Sequence, residues 1–250
     1  MPILLRVDVD NAFIPASHSR LVRKLYLVLN YLNENYWVPK LKFIGYNKYV
    51  DVFINDLISL GVRASIFFKY TTVPVDRRII DLLLRNDFDI GFHLLSAKTF
   101  GEFLKEKKAI ERSIGKRVLG FTKHGDGQRK WTRKHAWRYE PSKYVEWGIR
   151  AGLVYFSGNE HRVYTKIEKK NNFYYLPHVF YIEPWARKLK TSIQEIIDYA
   201  NSGYPVVALI HPWNYLLNSS ARNDFNKIID KADVIMTISD YLKVGFRIIT

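Results

Sequence analysis

Two spacings of hydrophobic residues alternate along this chain. Short apolar runs rich in β-branched residues stand at 3–9 (ILLRVDV), 63–68 (RASIFF), 88–93 (FDIGFH), 117–122 (RVLGFT), 153–157 (LVYFS), 173–177 (FYYLP), 205–211 (PVVALIH) and 233–238 (DVIMTI). These read as strands, the 205–211 run as a buried one. Between them, segments with apolar residues three and four apart read as helices: 19–36, 47–61, 76–86, 100–115, 141–152, 191–203 and 220–232. In the first of these, Leu21, Leu25, Val28, Leu29 and Leu32 share one face. Gly61 and Gly203 stop two of the helices, and Thr191 or Ser192 caps the segment that Gly203 ends.

Strands alternating with helices predict a parallel sheet with helical crossovers, either a barrel or a doubly wound sheet. Seven or eight strands, with no glycine-rich phosphate loop after the first, favour the barrel. No internal repeat, linker or low-complexity stretch divides the sequence, so a single α/β barrel domain over residues 1–250 is expected. In such barrels the chemistry gathers at the C-terminal ends of the strands, so those ends are where functional residues are to be sought.

The first strand ends in RVDVDN, which puts Asp8 and Asp10 on one side of an extended chain. Two adjacent carboxylates repel unless a cation or a shared proton separates them; the alternative is a turn or cap carboxylate. The 88–93 strand ends at His93, either a core histidine or a ligand. The 117–122 strand runs into GFTKHGDG, which delivers His124, and PVVALIHPW ends at His211 with Pro212 and Trp213 beside it. Singly these are weak signals, but together they place five chemistry-bearing side chains at one end of a parallel sheet. A carboxylate and two neutral imidazoles form a set of ligands for Zn²⁺ or a similar divalent ion. A second carboxylate can take a proton from water and a further histidine can give one to a leaving group. Such a set suits metal-assisted hydrolysis of an amide or ester.

Composition narrows this picture. The chain has no cysteine, which excludes disulfides and thiolate metal sites. It carries 39 Lys and Arg against 24 Asp and Glu, a formal charge of +15. That charge points to a phosphate-bearing partner (nucleic acid, an anionic membrane face or a phosphorylated small molecule) or simply to a basic surface. No apolar run reaches the roughly 18–20 residues that span a bilayer, and no secretory signal is visible, so a cytoplasmic protein with no transmembrane segment is expected. The segment 123–144 (KHGDGQRKWTRKHAWRYEPSKY) mixes cations with aromatic rings. It reads either as a solvated loop or as a clamp in which Arg129, Trp131 and Arg133, with Trp213, hold a sugar and its phosphates. Single-stranded nucleic acid would suit the same composition.

The strand ends resemble the polysaccharide deacetylases of the NodB type, carbohydrate esterase family four, through RVDVDN, DIGFH and ALIHPW. The resemblance implies a distorted (β/α)7 barrel that removes N- or O-acetyl groups from sugars with a metal-bound water. It implies Asp8 as catalytic base, Asp10 and His93 as metal ligands and His211 as general acid. Two positions depart from the family pattern. Ala97 stands where a further histidine ligand is usual, and GFTKHG replaces a motif that normally carries an arginine bracing the base. GFTKHG followed by YVEWGIRAGLVY resembles the WbmS-like branch, and on that analogy His124 supplies the missing ligand. The resemblance thus implies one divalent ion, Zn²⁺ or else Co²⁺ or Ni²⁺, held by Asp10, His93 and His124. The implied substrate is an acetylated amino sugar or glycan precursor, nucleotide- or lipid-diphosphate-linked, with peripheral membrane contact as a further expectation. The rival expectations are an inactive barrel that binds a phosphorylated glycan and a basic nucleic-acid-binding protein.

Overall fold

The computed structural model describes residues 2–9, 19–35, 41, 47–74, 76–95, 97–125, 139–187 and 190–245. Seven parallel strands close into a ring. They are β1 (Ile3–Val9), β2 (Ser65–Phe68), β3 (Asp89–Leu94), β4 (Gly120–Lys123), β5 (Tyr155–His161), β7 (Phe173–Tyr181) and β8 (Val206–Ile210), and β8 returns to pair with β1. The fold is therefore the expected α/β, (β/α)7 barrel. Its distortion is local: β5 slips register against β7 between Ser157 and Glu160, and β7 meets β8 through only the pairs Phe180–Ala208 and Tyr181–Leu209.

Alternation along each strand builds two cores. Ile3, Leu5, Val7 and Val9 of β1 point outward and pack, with Val206, Ala208 and Ile210 of β8, under the helices. Leu4, Phe67, Tyr155, Tyr174, Leu176, Val207 and Leu209 fill the barrel itself. Arg6 and Asp8 share the parity of Leu4 and so face inward. The glycine of DIGFH has a packing reason. A Cβ on Gly91 would stand 2.5 Å from the Phe67 ring and 2.6 Å from the Gly120 carbonyl, and one on Gly120 would stand 2.1 Å from the Tyr155 ring. These two glycines make room for the rings that floor the site.

The surrounding helices are α2 (Asn47–Ser59), α3 (Arg77–Arg85), α4 (Phe100–Ile114), α5 (Pro141–Arg150), α6 (Ile193–Asn201) and α8 (Ser219–Lys231). Capping boxes at Thr99–Glu102 and Ser192–Glu195 start α4 and α6. Three elements were not legible in the pattern. The strand β6 (Glu168–Lys170) is fully exposed and pairs antiparallel with β7, so it has no apolar signature. The short helix α7 (Pro212–Leu217) follows His211, because proline tolerates a first helical turn although it halts the ladder. The expected strand 233–238 shortens to β9 (Ile235–Met236), where the Thr237 hydroxyl accepts from the Asp240 N–H and starts α9 (Ile238–Gly245). Ile238 and Leu242 of α9 pack on the barrel interior and plug its N-terminal end.

One expected face behaves differently. In α1 (Arg20–Asn35), Leu21, Leu25 and Val28 are exposed, while Leu29 and Leu32 are only half-buried.

Candidate active site at the C-terminal mouth of the barrel

The centre of the mouth is an ion pair within β1. Asp8 is buried, and both its oxygens accept from Arg6, Nε to Oδ1 at 3.0 Å and Nη2 to Oδ2 at 2.6 Å. Two residues apart on one strand, the side chains lie on the same face, so the pairing is local. The remaining N–H groups of Arg6 donate to the Gly158 carbonyl (2.6 Å), to Ser157 and to Asn159 Oδ1 (2.8 Å). All five donors of the guanidinium are engaged, as a fully buried charge requires. Burial alone would raise the Asp8 carboxyl, but Arg6 foremost, with His93 and His211, holds it below the ordinary carboxylate value.

His93 on β3 is buried beside this pair, with Nδ1 2.6 Å from the Thr122 hydroxyl and 3.6 Å from Asp8 Oδ2. Its Nε2 lies 3.1 Å from Nδ1 of His124, with the two rings nearly perpendicular. The His124 N–H donates to the Leu94 carbonyl at 2.8 Å, which prolongs the β3–β4 ladder and fixes where the second imidazole stands. Asn159 clamps the same turn by donating from Nδ2 to the carbonyls of Lys123 and Gly125. Arg6 therefore positions Asp8 directly and, through Asn159, the backbone on either side of His124.

The two imidazoles stand at the spacing of neighbouring ligands on a metal ion. Two ligands on one tetrahedral Zn²⁺, each about 2.0–2.1 Å from it, stand roughly 3.3 Å apart, close to the spacing seen. If Nδ1 of His93 donates to Thr122, Nε2 keeps its lone pair toward His124, as a ligand requires. The spacing suits two ligands of one ion and equally a direct hydrogen bond between the two rings. Among the described residues no group of three or more ligands is assembled, and the expected third ligand, Asp10, lies outside them.

His211 stands at the end of β8, next to β1. Glu183, fully buried, accepts from the His211 N–H at 2.8 Å, lies 2.7 Å from its Nδ1, and accepts from Asn214 Nδ2 at 3.0 Å. All three contacts use Oε1, whereas Oε2 has no hydrogen-bond partner among the described residues. Through these contacts Glu183 orients the imidazole of His211.

The other expected residues divide. Trp213 is buried, its ring 6.0 Å from that of His211. Arg129, Trp131 and Arg133 lie outside the described residues. Ala97 is buried and belongs to the core under the helices. Arg6, Thr122 and Asn159 were missed. A signal for Arg6 was present, since a cation at an inward position of a buried strand must have a partner.

No family model and no curated protein matches the chain. Solved structures do. A polysaccharide deacetylase candidate from Mycobacterium smegmatis aligns over 98% of this chain and 90% of its own, at 13% identity and a TM-score of 0.56. A second such candidate, from Pseudomonas aeruginosa PAO1, aligns over 96% and 88%, at 11% identity and 0.57. An allantoinase aligns over 96% and 88%, at 9% identity and 0.58. At these identities the likeness is one of fold. It joins the chain to the barrel of the polysaccharide deacetylases and does not by itself choose the reaction.

Proposed function

We propose that the protein is a metal-dependent hydrolase that removes an N- or O-acetyl group from an amino sugar or glycan precursor. The observation that carries the reading is the convergence of Arg6–Asp8, His93–His124 and Glu183–His211 at one mouth, with a nitrogen-to-nitrogen spacing suited to a shared cation. Asp10, His93 and His124 would hold the ion. When bound, such an ion acidifies water and polarises a carbonyl. His124 takes the place of the ligand absent at Ala97, in keeping with the WbmS-like pattern.

The chain's own residues supply the rest. Arg6 keeps Asp8 ionised, so its carboxylate is ready to accept a proton from the attacking water. Thr122 fixes the ring of His93. Glu183 holds Nδ1 of His211, and Nε2 would deliver a proton to the departing amine or alkoxide. The Glu183–His211 arrangement follows the general logic of a buried carboxylate that orients an imidazole. The basic, aromatic 123–144 segment and the charge of +15 support a nucleotide- or lipid-diphosphate-linked substrate.

Elemental analysis of purified wild type, His93→Ala and His124→Ala tests the reading, alongside acetate release from N-acetylglucosamine oligomers and diphosphate-linked acetylated sugars. About one divalent ion per chain, lost in both variants, and acetate release that follows it are expected. Full metal occupancy in His124→Ala would overturn the ligand set. Metal without acetate release from any acetylated sugar would overturn the activity.

A further inference from the structure

Helix α1 turns an apolar stripe outward. Leu21 is 77% exposed, Leu25 58%, Val28 54% and Val22 45%. Leu21, Leu25 and Val28 lie at positions i, i+4 and i+7 and so form one stripe. Among the described side chains, the more buried ones are Tyr26, Leu29, Leu32 and Asn33, a mixed polar, aromatic and apolar set. Asn33 is buried and exchanges two hydrogen bonds with the Leu41 backbone, and Tyr26 hydrogen-bonds Tyr49 of α2. A helix of a globular protein ordinarily turns its apolar stripe to the core, because leaving it in water is unfavourable.

The charges around the stripe indicate what covers it. Arg20, Arg23 and Lys24 fall in the first five residues of α1, with no acidic residue before Glu34. Cations at a helix N-terminus oppose the helix dipole, so helix stability does not account for them. A second copy of the chain would bring another +15 to the contact. It would also need about 800 Å² of buried surface per partner, more than three or four side chains provide. A bilayer surface rich in anionic headgroups meets both features: the stripe enters the headgroup boundary and the cations meet the phosphates.

We propose that α1 is a membrane-surface helix, which seats the protein on anionic lipid with Leu21, Leu25 and Val28 inserted at headgroup depth. The helix does not cross the bilayer, since no helix among the described residues is long and apolar enough to do so. The proposal is independent of the hydrolase reading and holds whether or not acetate is released.

Co-sedimentation with phosphatidylcholine vesicles, with and without about 30% phosphatidylglycerol, tests it. The proteins compared are wild type, Leu21→Ser/Leu25→Ser, and Lys116→Ser/Arg117→Ser. The last pair is exposed on the α4–β4 link and removes the same kind of charge without touching the stripe. All three should keep one melting temperature, because every substituted side chain is exposed. Wild type is expected to bind the anionic vesicles, the leucine variant at least about tenfold more weakly, and the Lys116/Arg117 variant within about threefold of wild type. Equal binding by wild type and the leucine variant would overturn the proposal, leaving charge alone. So would no binding at all, or a wild-type dimer that the leucine changes dissociate.

Discussion

Replacing Arg6 by methionine should cost more than any single change at the protein surface. The substitution keeps an unbranched chain inside the barrel but removes the cation that both Asp8 oxygens contact, at 3.0 and 2.6 Å. It also strips partners from the Gly158 carbonyl and Asn159 Oδ1. Breaking one side of a buried pair leaves an uncompensated charge, at a cost of about 3–5 kcal/mol. Against a total stability of roughly 5–15 kcal/mol this is a large share. Urea unfolding at pH 7 should show the midpoint falling by more than about 1 M. The pH dependence adds a sign. In wild type the Asp8 carboxyl is depressed, so its contribution is present above the ordinary value of 3.8 and lost as pH falls through the folded value. In Arg6→Met the buried, unpaired carboxyl is pushed up instead, so the variant gains relative to wild type as pH falls, and the gap between them narrows toward pH 4. The double variant Arg6→Met/Asp8→Leu should recover most of the loss, because an apolar pair of similar volume often matches a buried ion pair. A cost of less than about 1 kcal/mol for the single variant, or a gap as wide near pH 4 as at pH 7, would refute the reasoning.

Three further outcomes follow from the same geometry. Glu183→Gln should lower kcat by about 10²–10⁴-fold with metal content unchanged, read by acetate release alongside elemental analysis. Thr122→Val removes the hydroxyl 2.6 Å from His93 Nδ1, and should weaken metal affinity by about 10–100-fold in a chelator competition titration. Gly91→Ala puts a methyl group 2.5 Å from the Phe67 ring and 2.6 Å from a backbone carbonyl, and should cost about 1–3 kcal/mol in thermal unfolding.

Much of this was legible in the chain. The barrel and its strand ends follow from alternation, because a strand buried on both faces is apolar throughout and the helices between carry a different period. His93, His124 and His211 could be placed at one mouth for the same reason. What could not be read was who meets whom across the ring. Arg6 contacts residues 151 to 153 positions away, and only the order of strands brings β5 to it. The bracing arginine was sought near residue 120, where the family resemblance puts it, while this chain carries one on the strand of Asp8 itself. The stripe on α1 failed for another reason: periodicity shows that a face is apolar, not what it faces. The short α7 was hidden because Pro212 signals the end of a strand as readily as the first turn of a helix.

The narrow seam between β7 and β8 gives Glu183 a second meaning. Backbone pairing there ends after two residue pairs and the Ile182 N–H to Leu209 carbonyl bond. The next rung is a side chain: the Glu183 carboxylate accepts the His211 amide proton that a neighbouring strand would otherwise take. One carboxylate therefore both sutures the barrel and aims the imidazole. Parting this seam would dismantle the dyad while leaving the strands of Asp8, His93 and His124 paired with one another through β1, β2, β3 and β4, so hydrogen exchange at the His211 amide is a direct gauge of how firmly the site is held shut.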